Sequence, residues 1–446
     1  MIEKEDMEMY QSYGIFTNPI LNKYMRYYNK QILNQHHMSI LSFFQMCGCI
    51  AMFNNIMIRF GREKFDLRLP MIWFSDSSSG KGMTIGIQNE FLKELNINCQ
   101  NVKNPSPERL VGSFNETIQK RNLEKNIKKD NPKYVSPEIP GLLKNNFLLF
   151  FDEVDWLFEE KNLKSQLILR TLRFASDKYA SEGNWISAET LKSAIEKSNT
   201  GFFSPSTFTL TSYPLKKASE QLSNNGIFQR CITVFIRQTN EQIEEALKYI
   251  IPPDVVVTLD NLKLDITNKL KELKQKNIKM SIKNIDDFNE FIKLFIRRMR
   301  MMLKDAGIEN KKLRSFFMRG RNNAIKIAGI NAFISKRDYI IKEDLLTGLE
   351  LTLQSLETVK NEIIEHTKKT TTKEMYGIIR YVFDKETWYS KTQICEMLPK
   401  YGKSIGWDLG INKTFEMFDD LKIFFMEKED YIKNTKKVKL YKLKRM

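Results

Sequence analysis

Residues 70–85, Pro-Met-Ile-Trp-Phe-Ser-Asp-Ser-Ser-Ser-Gly-Lys-Gly-Met-Thr-Ile, constrain the fold more than any other stretch of this 446-residue chain. Leu67–Phe74 is largely apolar and rich in aromatic and branched side chains, so it reads as a buried strand. Ser75, Ser77, Ser78, Ser79, Gly80 and Gly82 are small, and Met83–Leu95 has the spacing of an amphipathic helix. A strand, a small-residue turn carrying Lys81 and then a helix is the layout in which backbone N–H groups wrap a polyphosphate. Small side chains let the backbone approach, the helix N-terminus adds partial positive charge, and Lys81 adds a full one. The rival reading is a Ser/Gly turn with a solvated lysine. Two departures from G-x-x-x-x-G-K-[ST] bear on the chemistry: Ser75 stands first, and Gly82 stands last, where a hydroxyl would face Mg²⁺. Thr84, two residues on, is expected to point elsewhere.

A second element decides between these readings. In Asn146-Phe-Leu-Leu-Phe-Phe-Asp-Glu-Val-Asp155, five consecutive apolar residues predict a strand buried on both faces, as in a parallel sheet. It ends in Asp152-Glu153, and acids at the carboxyl end of a buried strand lie where open α/β sheets bind ligands. With the loop, this predicts ATP hydrolysis. Lys81 and the loop, Ser77 to Met83, hold the phosphates; Asp152 holds Mg²⁺, mainly through water; Glu153 orients and polarises the attacking water.

Formal charge is +17, an excess that argues for a polyanionic partner, most simply nucleic acid. A codon bias toward Lys, Asn and Ile explains the lysines but not the shortage of acids. No run of 18 apolar residues occurs, so no membrane span is expected. Five scattered cysteines and three histidines predict a reduced, cytoplasmic chain without a structural zinc site.

The pattern divides the chain into five parts. Residues 1–65 read as a helical segment, with a buried helix over Met38–Ile58. Residues 66–240 read as an α/β nucleotide-binding core. Within it, a strand is expected over 97–102, a helix over 108–120, a surface loop over 121–140, a helix over 163–180, and strands over Thr207–Pro214 and Cys231–Ile236. Residues 241–366 read as an all-helical lid, 367–372 as a polar linker, and 373–446 as three helices with a two-stranded wing, a winged-helix module. Its tail, with Lys436, Lys437 and Lys439, is expected to contact DNA.

Loop, Asp-Glu strand, hydroxyl-tipped strand, arginine, then helical lid is the order of an AAA+ ATPase. In detail the chain resembles the minichromosome maintenance (MCM) helicases, and more closely their relatives in phages and mobile elements. The runs that carry the resemblance are Gly141–Glu153, Gly226-Ile-Phe-Gln-Arg230, and Arg319-Gly-Arg-Asn-Asn-Ala-Ile-Lys-Ile-Ala-Gly-Ile-Asn-Ala332. The resemblance implies that Arg230 reaches the ATP of a neighbouring subunit in a ring, expected to be a hexamer. It implies that Arg319 contacts the γ-phosphate, and that Lys192 and Lys197 lie on a DNA-contacting hairpin. The sensor position, Asn in MCM chains, is Ser212 or Thr211 here, with Ser212 preferred. The function implied is an ATP-driven helicase or translocase acting on single-stranded or forked DNA in replication of a phage or mobile element. Two other classes fit: an origin-binding or helicase-loading ATPase, and a winged-helix regulator with a degenerate nucleotide fold, which Gly82 favours.

Overall fold

The computed structural model describes residues 18–32, 36–60, 63–75, 80–103, 105, 109–110, 112–114, 138–140, 142–158, 163–177, 205–212, 226–236, 241, 244, 248, 253–275, 278–305, 311–361, 388–390, 392–393, 396, 425–432 and 436–443. The chain divides into two compact units, 1–361 and 362–446.

In the first unit the chain begins with α1 (Pro19–Asn29) and α2 (His36–Phe53), then a ribbon of β1 (Met57–Phe60) and β2 (Glu63–Asp66). Strand β3 (Met71–Ser75) leads to α3 (Lys81–Glu94) and β4 (Cys99–Val102). After β5 (Gly112–Phe114) and β6 (Glu138–Pro140) come α4 (Leu142–Asn145), β7 (Leu148–Phe151) and α5 (Leu163–Asp177). Strands β8 (Thr207–Ser212) and β9 (Ile232–Ile236) precede α6 (Pro253–Lys274), β10 (Met280–Ile282), α7 (Ile285–Asp305), α8 (Lys311–Ile334), β11 (Tyr339–Ile340) and α9 over 342–361.

The central sheet has five parallel strands in the order β4-β7-β8-β3-β9. Every residue of β3, β7 and β8 is buried; β3 and β7 accordingly read as apolar runs, while β8 alternates Thr with Phe and Leu. Burying each Leu or Phe side chain here contributes about 1.5–3 kcal/mol. The outer edge of β9 is closed by Ser355 of α9, whose hydroxyl accepts from Thr233 N–H at 2.9 Å and donates to Thr233 C=O at 2.8 Å.

Helix α2 is buried all round, as its apolar run predicts. Its few polar groups are satisfied inside. Gln45 donates to the carbonyls of Leu69 (2.9 Å) and Phe208 (3.2 Å) and accepts from Gln88 (3.2 Å) and Thr209 (3.0 Å), tying α2 to the sheet and to α3. Residues 1–65 are not wholly helical. Residues 57–66 form a two-stranded ribbon whose β1 runs parallel to β10, which in turn runs parallel to β11. The region expected to be all-helical is therefore interrupted by β10 and β11. At 112–114 and 138–140 a short antiparallel pair stands where a helix and a surface loop were expected. These strands are only two to four residues long; β1 and β2 are neighbours in sequence, while β1 with β10 and β10 with β11 pair across long stretches of chain.

In the second unit, β12 (Tyr389–Ser390), β13 (Phe425–Ile432) and β14 (Lys436–Leu443) form an antiparallel sheet in the order β12-β14-β13. Ser390 ends β12 and also caps a helix start, since its hydroxyl accepts from Gln393 N–H at 3.3 Å and residues 392–393 are helical. The other helices expected over 373–421 lie almost wholly outside the described residues.

No helix among the described residues is long and apolar enough to cross a membrane.

Candidate functional site: the carboxyl ends of three strands

Helix α3 starts directly beyond β3, and the segment between them, 76–79, lies outside the described residues together with Ser77, Ser78 and Ser79. Gly80 caps the helix at φ +80°, and a Cβ there would stand 2.9 Å from Ile32 Cγ2, so only glycine fits without strain. Lys81 is the first helical residue. It is buried, and its ammonium donates to the Ser75 carbonyl at 3.1 Å, which holds the charge over the end of β3. Gly82 and Met83 are exposed on the first turn, and a Cβ at Gly82 would meet nothing within 4 Å. Thr84 turns inward, as expected: its hydroxyl donates to Gly80 C=O at 3.1 Å and lies 2.5 Å from the Tyr28 hydroxyl. The N-terminal helices thus brace the base of this loop.

Two strands away, β7 delivers Asp152 and Glu153 to the same edge. Their β8 neighbour continues the ladder past them, since Val154 N–H donates to Thr211 C=O at 2.9 Å. The Thr211 hydroxyl donates to Asp152 Oδ1 and accepts from Glu153 N–H at 3.1 Å. Glu153 N–H also donates to Asp152 Oδ1 at 3.1 Å. Both acids are exposed, and Glu153 has φ +48°, a left-handed backbone that costs a side-chain-bearing residue about 1–2 kcal/mol. Strain of this kind collects at functional sites.

The hydroxyl that meets the acids is therefore Thr211, not the preferred Ser212. Ser212 is buried and pairs in register with Phe74. Successive strand residues face opposite sides, so only one of the two was able to make this contact.

The donor set suits a divalent cation such as Mg²⁺ sparingly. Asp152 Oδ1 is engaged, Oδ2 takes no hydrogen bond from the described residues, Gly82 offers no hydroxyl, and that of Thr84 is spent. One carboxylate with phosphate and water oxygens is nevertheless a normal Mg²⁺ set.

Arg230 lies at the opposite end of the sheet. It closes the turn 226–230, with its own N–H on Ile227 C=O (3.0 Å) and its guanidinium on Gly226 C=O. Two residues on, Ile232 N–H donates to Pro70 C=O at 2.9 Å, at the entrance of β3. The register Met71↔Ile232 to Ser75↔Ile236 places Arg230 at least about 13 Å along the strands from Lys81, at 3.3 Å per residue. Arg319 is half-buried on α8, next to Gly320, where α9 packs through Leu356 and Thr352. Lys192 and Lys197 lie outside the described residues. Lys436, Lys437 and Lys439 lie on β14, in register with Ile432, Tyr431 and Glu429.

Sequence reasoning missed a buried ion cluster that joins three parts of the unit. Arg68, before β3, pairs with Asp66 (3.0 Å) and donates to Ala175 C=O and Ser176 C=O at the end of α5. Lys326 of α8 donates to Asp66 (3.2 Å) and to Arg68 C=O (3.1 Å). Burial works against the Asp66 charge, but Arg68 and Lys326 outweigh it and hold the carboxyl well below the usual range. No local sequence signal marks these residues as buried. Burial likewise pushes the Cys47, Cys49 and Cys231 thiols up, which keeps them protonated packing groups.

No protein-family model matches the chain, and no curated protein matches it either.

Proposed function

We propose that this chain is an AAA+-type ATPase, similar in organisation to the MCM helicases, that couples ATP hydrolysis to movement along DNA. One observation carries the reading: Lys81, Thr211 and the Asp152-Glu153 pair stand at the carboxyl ends of β3, β8 and β7, three adjacent strands of one parallel sheet. Ligands of open α/β sheets bind at that edge. A triphosphate lying across it meets the lysine on one side and the acids on the other.

In this mechanism the amides of 77–83 and the Lys81 ammonium bind the β- and γ-phosphates. Asp152 would hold Mg²⁺, which would supply neutralisation of phosphate charge. Glu153 accepts hydrogen bonding from water and orients it toward the γ-phosphorus; Thr211 fixes the Asp152 carboxylate and the Glu153 backbone. Arg230 is too far from its own Lys81 and serves a neighbour's nucleotide, which requires head-to-tail contacts that close a ring, in our reading a hexamer. Arg319 is the lid's arginine for the γ-phosphate. The β13–β14 hairpin is the wing of a winged-helix module, and Lys192, Lys197, Lys436, Lys437 and Lys439 are its chain's phosphate contacts on single-stranded or forked DNA. The work done is replication of a phage or mobile element, in the cytoplasm.

Phosphate release with and without single-stranded DNA tests the reading. Wild type is expected to hydrolyse ATP faster with DNA, and Glu153→Gln to bind ATP while losing nearly all turnover. Wild-type turnover in Glu153→Gln rejects the assigned base. The missing hydroxyl at Gly82 favours a second reading, a winged-helix DNA-binding regulator with a degenerate nucleotide fold. Strand displacement on a forked substrate separates the two.

A further inference from the structure

Helix α7 buries Phe288, Phe291, Phe295, Met299 and Met302 on one face. Phe295 packs toward Gly320 of α8, beside Arg319. The opposite face carries Lys293, Arg297 and Arg300, all exposed. Spacings of four and three place them in one row along the helix. Exposed Ile296 and Met301 flank the row, one on each side.

None of these three cations pairs with a carboxylate among the described residues. Other cations of the same unit are matched, Lys263 with Glu90, Lys336 with Glu272, Lys342 with Glu290, and Arg298, also on α7, with Glu350, while exposed Lys93 and Lys271 stand alone on their helices rather than in a row. The helix dipole accounts for basic residues in a last turn. Lys293 and Arg297 stand well before the last turn, so the dipole does not account for them. An unpaired cationic row along one helix face is the electrostatic footprint of a nucleic-acid backbone.

We propose that the Lys293–Arg297–Arg300 face of α7 is a nucleic-acid contact surface that binds backbone phosphates without reading sequence. It lies on the outer side of the helix whose inner side packs against the segment bearing Arg319. The surface stands on charge and exposure alone and does not depend on the ATP site.

The test is equilibrium binding of the full chain to a fluorescent 30-nucleotide oligo-dT over a salt series, without nucleotide. The variant Lys293→Gln/Arg297→Gln/Arg300→Gln is expected to bind at least about tenfold more weakly. Its slope of log K against log salt is expected to fall by about 2, since a single-strand contact contributes roughly 0.7 per phosphate. A control that removes the same charge from matched cations, Lys263→Gln/Lys336→Gln/Lys342→Gln, is expected to keep the wild-type slope. Arg297→Lys/Arg300→Lys, which keeps the charge, is expected to keep both slope and affinity within about threefold. An unchanged slope in the first variant, or an equal fall in the control, overturns the proposal. No ATP binding by the wild-type chain with DNA binding intact counts against the ATPase reading and leaves this surface standing.

Discussion

The Thr211 hydroxyl donates to Asp152 Oδ1 and accepts the Glu153 backbone N–H, so one side chain of β8 sets both acids of β7. Thr211→Val keeps the shape and removes both bonds. ATP turnover is expected to fall about 10- to 100-fold, within the range for a misplaced catalytic group, with ATP affinity nearly unchanged. Ser212→Ala is expected to cost less than threefold. Steady-state phosphate release for both variants checks this, and a larger loss in Ser212→Ala reverses the assignment.

The left-handed backbone of Glu153 sets stability against function. Glu153→Gly relieves that strain and is expected to raise unfolding free energy by about 1 kcal/mol while abolishing turnover. Denaturant titration beside an activity assay reads both. A destabilised Glu153→Gly shows that the side chain supports the fold.

How far these features were legible follows from their length and reach. The strand ending in Asp152-Glu153 announced itself because five apolar residues in a row can only be buried. Gly80 and Lys81 were legible through local spacing. The β1–β2 ribbon, β10 and β11 were not, because two to four residues carry no periodicity, and β10 and β11 also depend on long-range partners. Thr211 against Ser212 turned on which side of β8 meets β7, which depends on register. Asp66, Arg68 and Lys326 read as ordinary surface charges, since only the packed fold brings them together.

That ion cluster has a signed pH dependence. The folded state holds the Asp66 carboxyl below its ordinary value near 4, so its stabilisation is present above about pH 4 and is lost as pH falls toward the folded-state value. Asp66→Asn leaves Arg68 and Lys326 buried without their counter-charge and is expected to cost about 3–5 kcal/mol at pH 7. The gap from wild type should narrow below pH 4. A gap that stays constant from pH 7 to pH 2.5 excludes this origin.

His37 acts in a different window. Burial pushes its imidazole down to about 4, so between roughly pH 6.5 and 4 the unfolded chain takes up a proton that the folded chain refuses. Stability therefore falls as pH drops through that range. His37→Phe should flatten this part of the profile, as read from thermal midpoints between pH 7 and 4.5; an unchanged slope assigns it to other groups.

Arg230 lies at the end of the sheet away from Lys81, which makes its role a matter of subunit exchange. Arg230→Ala and Lys81→Ala chains are each expected to be inactive, and mixtures to recover part of the ATPase through sites that combine an intact lysine with an intact arginine. Proven co-assembly without recovery at any mixing ratio excludes action across subunits.

The central claim is that the Lys81 turn and the Asp152 strand grip one nucleotide. A double-mutant cycle on Mg-ATP affinity with Lys81→Ala, Asp152→Ala and the pair tests it most directly. The account predicts tight wild-type binding and a coupling of about 0.5–3 kcal/mol between the two sites. Strict additivity, or no ATP binding by the wild-type chain, contradicts it.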